Sequence, residues 1–422
     1  MQRPNVRDLA RGTLTTGAYQ AAVQVLAFLA GIIILRVLSR EEYAYYTIAI
    51  TVVGAMNVLA DCGLSSALLA IGGERWRDRY ELGKVLATGF AIRKSLALVA
   101  FVVCGPVLAL LLIRQGAPWI EAVCVSMAVI PATYWATKTQ VLEIAPRLHQ
   151  HVAQIQRIQF DVNLARLFII GLAMTFAPFA LVAILAGASY LPWSNRRLNV
   201  LASRDAELGE AQDELTRARL LQQLRRKAPE AIFYVLSGSI TSWLISLFGS
   251  TDAVATVGAL SRIAAIFSIL TTIFQLVAIS RFARIPEADI ARIRRRFWQS
   301  QIILGCACLA LFTAFWLAPQ IISMVLGPKY SGQDDEALLM IAAGAIGAML
   351  AAVHGLGAAR GIIPPALLTI PFMLAVQSGL IAALPISTAR GAILLGLLVN
   401  SSAWILNTGY VWLKFPTSSA KR

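Results

Sequence analysis

Residues 85–113 read VLATGFAIRKSLALVAFVVCGPVLALLLI. This run exceeds the ~20 residues a helix needs to cross the hydrocarbon core of a bilayer. Apart from Arg93 and Lys94 it is free of charge, and it shows no period-two alternation. It therefore reads as a spanning helix, not a barrel strand. Outward from it the pattern repeats, with apolar runs near 17–38, 43–70, 119–142, 154–176, 178–194, 228–249, 252–281, 297–318, 335–359, 362–384 and 389–413. With 58% hydrophobic and 14% charged residues over 422 positions, the chain must use lipid as solvent for much of its surface. The expectation is an all-α integral membrane protein of about twelve transmembrane helices.

Lys and Arg outnumber Asp and Glu 37 to 22, a net charge of +15. The excess sits mostly in short loops. If the N-terminus is cytoplasmic, the inner segments hold Arg3, Arg7 and Arg11, then Arg75, Arg77, Arg79 and Lys84, Arg147, the bases of 196–227 and of 281–296, Arg360, and Lys414, Lys421 and Arg422. The outer segments hold Arg36, Arg40, Arg114, Lys329 and Arg390. The positive-inside rule then places both termini in the cytoplasm and favours an even number of spans. Loop bases also meet anionic membrane lipids. Residues 5–16 set Val6, Leu9, Ala10 and Thr13 against Arg7 and Arg11, an interfacial lead-in to the first span. The apolar run behind it is too long for a cleavable signal.

The longest loop, 195–227, includes a polar helical stretch from Asp205 to Lys227, with Leu208, Leu215, Leu221 and Leu224 on a narrow stripe and Asp213 and Arg217 one turn apart. It divides the chain into an N-terminal six-helix bundle (1–194), a cytoplasmic linker with an amphipathic helix (195–227) and a C-terminal six-helix bundle (228–422). Two bundles around a central cavity are the usual plan of an alternating-access transporter.

Arg93, Lys94, Arg166 and Arg262 lie inside the spans. At ~1.5 Å per residue, Arg166 is roughly 18 Å from its helix end, Arg262 about 15 Å, and Arg93 and Lys94 about 12–14 Å. A charge at that depth costs about 3 kcal/mol or more. The bland account is pairing with an acid or with helix carbonyls. The sharper one is a cavity for an anion, and Arg suits it because its planar fork grips phosphate bidentately. Arg157 and Lys138 are shallow enough to snorkel to headgroups. Asp161, one turn from Arg157, is expected to neutralise it. Asp61 is the deep carboxylate: it either braces a base, caps the bend before Gly63, or carries a coupling ion. Asn57, Gln20, Gln24, Gln275 and Asn400 add neutral polarity suited to interhelical hydrogen bonds. Gly105-Pro106, Pro364-Pro365 and Pro371 are expected to mark kinks.

Other classes are disfavoured. Cys62, Cys104, Cys124, Cys306 and Cys308 make no CxxC pair, and His149, His151 and His354 form no ligand set, so no metal site is expected. A basic stripe interleaved with aromatics, the mark of nucleic-acid binding, is missing from the sequence. Nucleophile-elbow, Walker and dinucleotide-fold patterns are missing too, and no enzyme activity is expected.

Four short motifs carry a resemblance. Leu35 to Tyr46, LRVLSREEYAYY, looks like an R-x-L-x-x-x-E-Y-G-x-Y external turn, with Ala44 in place of the usual Gly. Asp61-Cys-Gly-Leu-Ser-Ser-Ala looks like a D-x-G-L-S-x-A end of the second span. Asp252 to Arg262, with Val257-Gly258, and Leu326-Gly-Pro-Lys-Tyr match an eighth span and a ninth-to-tenth loop. Together they make the chain resemble the Wzx-type polysaccharide flippases of the MOP (MATE/MurJ-like) superfamily; its length argues against the MurJ-like branch. The resemblance implies a bacterial inner-membrane flippase that moves an undecaprenyl-pyrophosphate-linked oligosaccharide to the periplasmic leaflet. Arg93, Lys94, Arg157, Arg166 and Arg262 would hold pyrophosphate or acidic sugars, and Asp61 would be the ion-coupling candidate. No cofactor is implied beyond a coupling H+ or Na+. The implied partners are the lipid-linked oligosaccharide, with polysaccharide polymerase and chain-length proteins beside it. The rival readings are a MATE-like multidrug or cation antiporter, which would want deep acids, and a membrane enzyme of polysaccharide assembly.

Overall fold

The computed structural model describes the backbone of residues 6–283, 285–286, 289–330 and 332–415, and the side chains of these except at 6–16, 226–227, 230–231, 234–240, 276–277, 280 and 283. All regular structure among the described residues is helical. The interfacial lead-in expected at 5–16 rests on side chains outside the described residues.

The chain divides into two compact units, Met1–Leu247 and Phe248–Arg422. The first contains α1 (Val6–Val37), α2 (Arg40–Asp61), α3 (Leu64–Arg75), α4 (Arg79–Arg114), α5 (Trp119–Leu142), α6 (Ile144–Leu148), α7 (Val152–Phe176), α8 (Ala180–Ala188), α9 (Leu191–Asp205) and nearly all of α10 (Glu214–Phe248). The second contains α11 (Thr251–Ala264), α12 (Ile266–Phe274), a π-helical stretch (Gln275–Ile279), α13 (Ser280–Ala283), α14 (Ile290–Leu317), α15 (Gln320–Leu326), a 3-10 turn (Pro328–Tyr330), α16 (Asp334–Ala358), α17 (Ala366–Ala383) and α18 (Ala389–Lys414).

Ten helical segments among the described residues are long and apolar enough to cross a membrane, which makes this a multi-pass membrane protein. They match ten of the expected spans. The other two fall on α8–α9 and α10. In the expected sixth span the helical hydrogen-bond ladder is interrupted at Ser189-Tyr190, whose backbone stays right-handed helical, between a nine-residue α8 and a polar α9. The expected seventh is the second half of α10, so the amphipathic linker helix and that span are one continuous 35-residue helix. Pro106 and Pro371 lie inside helices that run on past them, whereas Pro364-Pro365 precedes α17.

In the first unit α4 packs on α2, α3 and α5, α1 on α7, and α8 on α2, α5 and α7. The external-turn motif has a structural job here. Ser39 caps α2 through Glu42 N, and the Glu42 carboxylate accepts from Ala180 N at 2.6 Å, closing the N-terminus of α8. Tyr43 and Ala44 are fully buried. In the second unit α16 is the central helix, packed on α11, α14 and α18. Its small residues let neighbours approach closely: a Cβ at Gly344 would lie 2.8 Å from the Phe267 ring.

The linker is seated on the first unit. Glu207 N donates to Arg79 O (3.0 Å), Arg79 Nη2 to Ser203 O (2.8 Å), and Asp213 N to Thr88 Oγ1 (2.9 Å). The Asp213 carboxylate accepts from Thr216 N and Oγ1 and lies 3.5 Å from Arg75 Nη1. The expected stripe is rotated. Leu220 is fully buried against α3, α4 and α6 with Leu208, Leu221 and Leu224 at its edge, whereas Leu215 is 72% exposed. Arg217 pairs with Glu214 (3.7 Å) and not with the Asp213 side chain, which Thr216 and Arg75 already engage.

Two outcomes follow from this seat. A Cβ at Gly83 would lie 2.0 Å from the backbone oxygen of Glu207, so Gly83→Ala must displace the linker. Tryptic cleavage after Arg204 or Arg217 is expected to speed up several-fold, while Gly379→Ala, with open space around it, leaves the rate unchanged. The Thr216 hydroxyl, helped by Arg75, holds the Asp213 carboxyl below its ordinary value. A depressed carboxylate stabilises fully above its unfolded value, ~3.9, and loses that contribution as pH falls through the lower folded value. Amide exchange over 206–217, corrected for intrinsic rates, is expected to rise between about pH 5 and about pH 3. In Asp213→Asn it should be fast at both.

Candidate functional site

The interruption of the second span builds the site. α2 stops at Asp61, Cys62 and Gly63 take left-handed backbone (φ 41° and 81°), and α3 starts at Leu64. Glycine adopts this conformation freely, cysteine seldom. Gly63 has no side chain to cap α3, and Asp61 substitutes for it: its Oδ1 accepts from Ser65 N (3.0 Å) and Ser65 Oγ (2.6 Å). The same oxygen takes Nη2 of Arg93 from α4. Arg93 also donates to Gln140 Oε1 on α5 and to Ser65 Oγ at 3.3 Å. Its side chain is 0% exposed, that of Asp61 29%. Arg93 is thus bound by protein groups on three helices, and both bland roles weighed for Asp61, bracing a base and capping the bend, are filled at once.

Lys94 follows Arg93, about 100° further round the helix, and it is exposed. It lines a pocket of about 470 Å³ between α4, α5, α9 and the linker, where Lys138 joins it. Asn199 and Gln212 supply neutral polar groups there, Phe90 and Leu86 apolar wall, and Glu210 a carboxylate. Lys138 also sits over the Trp135 ring, 5.7 Å from its centroid.

The remaining bases are placed separately. Arg157 is exposed on α7. Asp161 does not neutralise it, because α9 packs beside α7 and brings Arg197 Nη1 to 2.7 Å from Asp161 Oδ2. Arg166, half-buried on α7, lies over the Tyr190 ring at 5.2 Å, and its Nε is buried without a hydrogen-bond partner among the described residues. Arg262 belongs to the second unit, half-buried in the last turn of α11. Among the described residues no ion pair or hydrogen bond joins Arg157 or Arg166 to the Arg93 or Lys94 clusters.

Sequence reasoning does not single out Gln140, Asn199 or Tyr190, and it meets Ser65 only as the serine of the D-x-G-L-S-x-A motif. Gln140 carried a usable signal: it is an amide inside an apolar run, like the five polar residues that were noted. No group of three or more His, Cys, Asp or Glu among the described residues could hold a metal ion.

These features define an all-α, multi-pass membrane fold whose first unit buries one matched ion pair and opens a separate lysine-lined pocket. Neither any protein-family model nor any curated protein sequence matches the chain. Solved structures do. An inward-facing multidrug resistance MATE family transporter of the MOP superfamily superposes with a TM-score of 0.72 at 14% identity, covering 94% of this chain and 96% of that one. A eukaryotic MATE transporter superposes with 0.64 at 15% identity, over 97% and 96%. A MOP-superfamily transporter from Pyrococcus furiosus, described as having a binding pocket of reversed polarity that suggests a different function, superposes with 0.64 at 13% identity, over 96% and 95%. The chain has the fold of the MATE transporters.

Removing one partner of a buried ion pair costs about 3–5 kcal/mol because the other charge is left uncompensated. Arg93 is the buried member, so Asp61→Ala is expected to lower the unfolding free energy by about 3 kcal/mol, and Arg93→Met by less. The double variant Asp61→Ala/Arg93→Met should recover most of the loss. A double-mutant cycle on thermal unfolding in detergent measures this; additive losses would refute the pairing.

Proposed function

We propose that this chain is a MOP-superfamily flippase of the bacterial inner membrane, translocating undecaprenyl-pyrophosphate-linked oligosaccharide from the cytoplasmic to the periplasmic leaflet. The observation that carries the reading is the division of charge in the first unit. The deep carboxylate, Asp61, is engaged by Arg93, while Lys94 and Lys138 share an accessible pocket with one acid and two neutral amides. That surface suits an anionic headgroup with polar sugars attached. Arg157, Arg166 and Arg262 are the further bases assigned to pyrophosphate or acidic sugars, and Arg93 acts through Asp61. Asp61 is also the group through which a coupling H+ or Na+ would act, by competing with the Arg93 guanidinium for Oδ1. Polymerase and chain-length proteins are the partners such an activity serves, and the motifs quoted above support the cargo assignment.

A second reading, multidrug antiport, is favoured by the MATE transporters among the structures that superpose. It requires an acid open to an organic cation, and the engaged state of Asp61 weighs against it.

Proteoliposomes decide between them. Purified protein is expected to render a labelled lipid-linked oligosaccharide in the far leaflet accessible to impermeant periodate, and not to move ethidium. Lys94→Gln/Lys138→Gln should slow the glycan lipid by on the order of tenfold, as loss of two charge-assisted contacts implies, without shifting the thermal midpoint. Ethidium transport without glycan-lipid movement would overturn the proposal. An imposed pH or Na+ gradient should accelerate wild type and leave Asp61→Asn unaffected; a wild type indifferent to both gradients removes the coupling role.

A further inference from the structure

A further cavity lies in the second unit, lined by none of the bases assigned to the transported cargo. It is a groove of about 560 Å³ between α14 on one side and α12, the π-helical stretch and α13 on the other. Both walls change character in the same direction. On α14, Arg292, Arg296, Ser300, Ile303 and Ala307 face the groove, spaced three or four residues apart and therefore on one side of the helix. On the opposite wall the order from loop to interior is Arg281, Ala278, Phe274, Leu270. One end is thus basic and the other apolar.

The basic end is built to stay in place. Arg360 Nη2 donates to the carbonyls of Phe282 (2.6 Å) and Ile285 (2.7 Å), holding the turn that carries Arg281. Behind the walls, Phe282, Phe297 and Phe415 pack in a buried cluster, the last two with ring centroids 5.4 Å apart. Asp289 takes Nε of Arg292 at 3.0 Å and so orients its guanidinium. Arg281 and Arg296 are exposed, and no carboxylate among the described residues lies within ion-pair range of them.

Length identifies the occupant. From Arg296 to Ala307 the helix rises about 16 Å, close to the ~15 Å half-thickness of a bilayer core. The arginines therefore sit at headgroup level when Ala307 reaches the midplane. Ile303 is 68% exposed and Ile273 48%, so the groove opens toward acyl chains. A free phosphate would have no use for that wall. We propose that this groove binds an anionic glycerophospholipid of the leaflet on the side of Arg281 and the N-terminus of α14, its phosphate held by Arg281, Arg292 and Arg296 and its acyl chains laid along α12 and α14. By the charge count that leaflet is the cytoplasmic one. Basic pockets between spanning helices are the usual receptors for such headgroups, and the site is independent of what the protein transports.

Native mass spectrometry of the full-length protein reconstituted with equal phosphatidylglycerol and phosphatidylcholine tests it. Wild type is expected to retain phosphatidylglycerol selectively, and Arg281→Gln/Arg296→Gln to lose that selectivity by about tenfold or more, given the contribution of each base near a charged headgroup. Equal retention of the two lipids by wild type, or undiminished selectivity in the folded variant, overturns the proposal. Displacement of phosphatidylglycerol by inorganic pyrophosphate, or by polyprenyl phosphate at equal mole fraction, also overturns it, since the groove would then recognise a free anion or a longer lipid. Should the double variant fail to fold, photoactivatable phosphatidylglycerol on wild type decides: labelling of peptides within 270–307 supports the site, and labelling only elsewhere refutes it.

Discussion

Arg93 and Asp61 form the interaction on which the first unit depends. A helix interrupted at membrane depth exposes backbone donors that lipid cannot satisfy. The second span is interrupted at Cys62-Gly63, and Asp61 answers the problem by accepting from Ser65. That places a carboxylate in the interior, which needs a counter-charge, and α4 supplies Arg93. Arg93 in turn needs acceptors, and α5 supplies Gln140. One broken helix thereby recruits two neighbours, and removing any member leaves a polar group stranded.

The other bases are managed differently, and burial explains how. Arg166 shields its charge over Tyr190. Lys94 escapes to a pocket because its neighbour on the same helix faces the opposite requirement: two adjacent residues cannot share one direction. Arg281, Arg292 and Arg296 gather beside the start of α14, and that helix turns apolar within two turns. A positive interior is therefore not one feature of this protein. It is a matched pair, a ring-shielded guanidinium, a lysine pocket and the basic end of a groove, with different consequences for each.

The linker shows how a polar segment becomes part of a membrane unit. Its side chains alone suggest a surface helix tying two halves together. In the fold it is pinned at both ends to α4, through Arg79 and Thr88, and its last turns run without a break into the second half of α10. Glu42 plays a comparable part at the other extreme of the unit, where it closes α8 and gives the external-turn motif a packing role.

The sequence by itself determined the class of fold. Long apolar runs without alternation leave only spanning helices, because backbone polar groups in lipid must be paired within the segment. It also singled out Asp61 and the cysteine-glycine bend, since a charge and a break in an apolar run are visible locally. Tertiary structure decided the partners. Asp161 lies one turn from Arg157 in the chain, yet it belongs to Arg197, because α9 comes to lie beside α7. Leu220 displaced Leu215 from the buried stripe, because which face of a helix is covered depends on the surface beneath it. The hydrogen-bond ladder of the sixth span is interrupted at Ser189-Tyr190, a detail that hydropathy averages over. Ion pairs and grooves join residues far apart in sequence, and their choice follows from helix packing, which no local pattern of apolar and charged residues contains.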